Sequence, residues 1–89
     1  MARREFELRN RLGLHARAAA KFVNVASQFQ AEVFVAHNDE EVNGKSILGL
    51  LLLAAPCGSR LFIRAEGNDE SAALDAIGEL ISGRFGEGE

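Results

Sequence analysis

The hydrophobic period of this chain changes within its first thirty residues, and that change restricts the available folds more than any other feature. Residues 5–9, Glu5-Phe6-Glu7-Leu8-Arg9, alternate polar and apolar, the mark of a half-buried strand. Residues 10–13 read as a turn. From Ala16 the period becomes helical: Ala19, Phe22, Val23, Ala26 and Phe29 share one face, and Arg17, Lys21, Asn24 and Gln28 form the opposite stripe. A strand that gives way to an amphipathic helix so early calls for a layered sheet-and-helix architecture.

The rest of the chain repeats the alternation of periods. Residues 31–37 are rich in strand formers, and Glu41-Val42-Asn43 follows across the polar link Asn38-Asp39-Glu40, so the two segments read as a hairpin. Asn43-Gly44-Lys45-Ser46 is a turn with Ser46 as a helix N-cap. The apolar helix that opens at Ile47 must stop before Pro56, because the residue preceding proline is driven out of the helical region. Residues 60–66 alternate again, with Leu61, Ile63 and Ala65 on one side. Asn68 and Asp69 can cap a last helix with Leu74, Ile77 and Ile81 on its apolar side, ended by Gly83. The tail, residues 86–89, is expected to fray. The element order is β-α-β-β-α-β-α: an α/β (α+β) open-faced sandwich, with strand order and a ferredoxin-like alternative left open by periodicity.

Composition excludes several function classes. Eighty-nine residues allow one domain, residues 1–89, with no room for a second core. A single cysteine, Cys57, permits no intramolecular disulfide and has no partner at metal-ligand spacing, so no metal and no cofactor are expected. The longest apolar stretch, residues 47–55, is far short of the roughly 20 needed to span a bilayer, and the first residues lack a signal peptide's apolar core. A cytoplasmic location fits best. The first 21 residues hold six basic side chains against two acidic ones, although the whole chain carries a net charge of −3. A local anion site follows, not a nucleic-acid surface, since all six aromatics are Phe, mostly at positions expected to be buried.

Gly13-Leu14-His15-Ala16-Arg17 sits where the first turn meets the first helix. The leading N–H groups of a helix lack intrahelical acceptors and carry the positive end of its dipole, so a phosphoryl group there finds donors and a favourable field. Arg17 can add a charge-assisted contact. His15, a nucleophile when neutral, is placed to accept a phosphoryl group. The same spacing also suits a plain capped turn with a solvated His15 and an ordinary surface Arg17. Ser46 likewise reads first as an N-cap, although a phosphate on it would meet a helix N-terminus. The second histidine, His37, reads as structural or solvated, and Cys57 as unreactive. The helix from Ile47 is apolar nearly all round, and one such helix on an open sandwich leaves a surface for a partner or a second copy, the partner being favoured.

The two segments Gly13-Leu14-His15-Ala16-Arg17 and Asn43-Gly44-Lys45-Ser46-Ile47, about thirty residues apart, resemble the HPr family. These are the histidine-containing phosphocarrier proteins of the bacterial phosphoenolpyruvate-dependent phosphotransferase system. The late Gly67-Asn68-Asp69-Glu70 helix start matches as well, so the resemblance covers nearly the whole chain. It implies a four-stranded antiparallel sheet in order 1-4-2-3 with three helices on one face. It implies a carrier, not an enzyme: phospho-Enzyme I donates to Nδ1 of His15, Arg17 binds the phosphate, and an EIIA-type domain receives the group. Ser46 matches a regulatory serine modified by HPr kinase/phosphorylase, and Ile47, Leu48 and Leu51 match docking positions. A monomer is expected. One position departs: the family carries proline after the arginine, and this chain has Ala18, which restores an N–H and loosens the helix start. A regulatory, nitrogen-related or catabolite-control role acting through phosphorylation-dependent binding is the alternative; the presence of His15 opposes it as the sole role.

Overall fold

The computed structural model describes residues 2–86. Strand β1 (Ala2–Glu7) begins three residues before the alternation becomes visible, because its neighbour is long enough to pair it from Ala2↔Ala65 to Glu7↔Arg60. Arg4 hides the pattern. It occupies a position opposite the buried Ile63, and its long side chain reaches past the sheet edge to Asp75 at 2.6 Å. Leu8 leaves the ladder but stays buried, held by backbone bonds to Gly58 and Ser59.

Helix α1 (Ala16–Ala26) buries Ala18, Ala19, Phe22 and Ala26. It ends one turn earlier than its apolar stripe suggests: Ser27 is its C-cap, and Phe29 lies in the following turn, where its carbonyl accepts from Lys45 Nζ at 2.8 Å. Strands β2 (Glu32–His37) and β3 (Glu40–Asn43) form the expected hairpin on a two-residue turn. Asn38 and Asp39 both take positive φ, 51° and 67°, as such a turn requires, so Glu40 belongs to the strand and pairs with His37.

Helix α2 (Ile47–Leu53) starts on Ser46 as read and closes on Ala54 in the left-handed region, two residues ahead of Pro56. Strand β4 (Arg60–Glu66) has the expected bounds. Helix α3 (Glu70–Ser82) ends on Gly83, but its start differs from expectation. Asp69 holds the N-cap position without capping. Its carboxylate instead accepts the N–H groups of Gln30 and Ala31 at 2.9 and 2.8 Å, and Glu70 reaches back to the Gly67 N–H. After α3 a short 3-10 turn (Arg84–Gly86), unmarked by any periodicity, tucks Phe85 into the core and presents its carbonyl to Lys21 Nζ at 2.6 Å. The expected fraying of the tail otherwise lies outside the described residues.

The four strands form one antiparallel sheet in the order β1-β4-β2-β3, and the architecture is the open-faced α+β sandwich. Val33, Val35, Leu61, Ile63 and Ala65 alternate into the core beneath Phe22, Leu50, Leu74 and Ile77. The opposite sheet face is open. Phe62 is 50% exposed there, and Phe34 lies under the Arg64 guanidinium at 4.2 Å, which corrects the expectation that most phenylalanines are buried. Arg64 also pairs with Glu41 and Glu66.

Candidate functional site

Gly13 makes the entry to α1 possible. Its φ of +67° suits glycine, and a Cβ there would lie 2.5 Å from the Ala55 carbonyl oxygen. The next residue, Leu14, is buried, and its N–H donates to that same Ala55 oxygen at 2.9 Å. The loop before α1 is therefore stitched to the exit of α2. His15 follows in extended conformation (φ −88°, ψ −178°) as the N-cap of α1. Its carbonyl accepts the Ala19 N–H at 2.8 Å, and its ring Nδ1 accepts the Arg17 N–H at 3.3 Å.

An Nδ1 that accepts this N–H presents its lone pair at that contact. The lone pair faces the N-terminal end of α1, where unpaired donors and the dipole favour negative charge. His15 is half-buried and Arg17 is exposed two residues along. A phosphoryl group on Nδ1 would meet the Arg17 N–H in place of the ring and have the guanidinium within the same first turn. Ala18 is wholly buried in that turn.

Ser46 caps α2 with its Oγ accepting the Gly49 N–H at 3.0 Å. It stands at the opposite end of α2, a seven-residue helix about 10 Å long, from the Ala55 stitch. His15 and Ser46 therefore bracket α2 and do not share one pocket. Along that helix Ile47, Leu48 and Leu51 are 43%, 68% and 36% exposed, while Leu50 and Leu53 are buried. Leu52 at 71% and the loop residue Leu12 are also exposed; neither was singled out from sequence, although the all-apolar helix signalled surplus surface. His37 lies apart, with its Nδ1 3.4 Å from the Arg60 carbonyl. Cys57 is exposed in the loop after Pro56, and no group of metal-ligating side chains occurs among the described residues. No helix among them is long and apolar enough to cross a membrane. Sequence reasoning places Asn10 in the turn before α1 but gives no sign that its side chain is buried there.

A family model described as the PTS HPr component phosphorylation site matches residues 2–83. The chain belongs to the HPr family. A phosphocarrier protein HPr of Neisseria meningitidis serogroup A is 52% identical over the full length of both chains. Among solved HPr structures, HPr-C-His from Thermoanaerobacter tengcongensis superimposes with a TM-score of 0.95 at 41% identity, covering 98% of each chain. An HPr dimer from the same organism matches at a TM-score of 0.79 and 43% identity over 92% of this chain and 94% of that one. In this HPr-family chain the matched region includes both helix entries described above.

Proposed function

We propose that this protein relays a phosphoryl group between proteins through Nδ1 of His15. Phospho-Enzyme I is the donor. The His15 lone pair forms the new N–P bond while the donor's N–P bond breaks and its electron pair returns to the donor ring. The Nε2 proton stays on the His15 ring and offsets part of the phosphoryl charge. Arg17 and the N-terminus of α1 hold that charge until the imidazole of an EIIA-type domain attacks phosphorus in turn. The observation that supports this reading is the 3.3 Å contact between Nδ1 and the Arg17 N–H, which keeps the nucleophilic nitrogen at the end of the helix.

Ser46 is the regulatory position in this proposal. A phosphate there keeps the favourable field of the α2 N-terminus but sets about two negative charges beside Ile47 and Leu48, where a partner would dock. HPr kinase/phosphorylase would supply it from ATP. Incubation with Enzyme I and phosphoenolpyruvate should give an acid-labile, base-stable phosphate that is lost in His15→Ala. An unlabelled wild-type protein would end the carrier reading. The kinase product should be acid-stable and lost in Ser46→Ala.

A further inference from the structure

Asn10 is the one fully buried polar residue among the described residues, and it lies in a loop. Burying a side-chain amide costs about 1–3 kcal/mol unless its hydrogen bonds are replaced. Two hydrogen bonds, one from its backbone and one from its side chain, tie it to Gly13. The Gly13 N–H donates to the Asn10 backbone carbonyl at 3.1 Å, and Asn10 Nδ2 donates to the Gly13 backbone carbonyl at 2.6 Å. Gly13 is thus gripped on its N–H and its C=O by a single residue. Its carbonyl also accepts the His15 N–H at 3.0 Å, so Asn10 Nδ2 and His15 N–H meet on one oxygen.

We propose that Asn10 is a positioning residue for the phosphoryl acceptor. Its amide fixes the direction of the Gly13 carbonyl, which anchors the His15 backbone in the extended N-cap conformation and turns Nδ1 onto the Arg17 N–H. Buried Leu14, tied to Ala55, prevents the loop from compensating by rotation. A simple turn former at position 10 would hold the loop by its backbone carbonyl alone; the buried side-chain donor adds the second grip, on the peptide that leads into His15. This inference rests on the carrier reading of His15.

Two measurements test it. Nitrogen NMR on the wild-type protein should show His15 with an unprotonated Nδ1, and a through-hydrogen-bond coupling between Asn10 Nδ2 and the Gly13 carbonyl carbon. Absence of that coupling overturns the proposal, whether or not any variant folds. Asn10→Asp, which sets a carboxylate against the Gly13 carbonyl, and Asn10→Leu, which removes the donor, should each lower kcat for phosphorylation by phospho-Enzyme I roughly tenfold to a hundredfold. KM should stay unchanged, and the His15 tautomer signals should shift. Folded variants with wild-type kcat and wild-type ring signals overturn the proposal. A wild-type protein that takes no phosphate overturns the carrier reading instead, and the coupling and ring signals then decide on Asn10 independently.

Discussion

Ala54 holds φ at 51°, a left-handed conformation that places a Cβ too close to the neighbouring carbonyl, at a cost of about 1–2 kcal/mol. Ala54→Gly removes that cost and adds the entropy of a freer unfolded chain, so a net gain of about 0.5–1 kcal/mol is expected from denaturant midpoints. At this scale His15 and Ser46 were legible, because a helix N-cap is a local event with a local signature: a capping residue, then a helical period. Asn10 was not. Asparagine six residues before a helix looks like any turn former, and what distinguishes it is complete burial within a loop folded against Ala55, forty-five residues away in sequence.

Among the elements, α3 shows where pattern reading ends. Asp69 stands one residue before Glu70, as a cap should, yet it serves a turn 38 residues upstream in sequence, which no local signal encodes. The strands of period 2 and the helices of period 3.6 were readable wherever side chains sorted cleanly by polarity, and β1 was misread at its start where Arg4 took a core-side register position and ran out to Asp75. The bond from the Gln30 N–H is the main reason that the Asp69 carboxyl ionises below the usual carboxylate range. A depressed folded pKa gives stability that is present above the unfolded value and lost as pH falls through the folded one. Asp69→Asn should therefore be less stable than wild type at neutral pH, with the gap narrowing toward about pH 3. Urea midpoints at the two pH values check this; a constant gap would remove the ionised carboxylate from the account.

For the whole molecule, the order β1-β4-β2-β3 could not be read from periodicity and came at first only through resemblance; the paired registers establish it. The same packing leaves Leu48 and its neighbours on α2 outside the core. Leu51→Glu should weaken Enzyme I binding, with thermal unfolding little changed because Leu50 and Leu53 carry the helix's buried side. Unaltered affinity in titration calorimetry would take α2 out of the interface. We expect sedimentation to return the mass of one chain; twice that mass would give the leucines to a second copy. The bond from Leu14 to the Ala55 oxygen has a mechanical sequel. In the proposed relay, a protein that grasped the leucines of α2 would also pull on the backbone carrying the imidazole, so recognition and reactivity would share one handle, and a partner that seated badly would aim the ring badly.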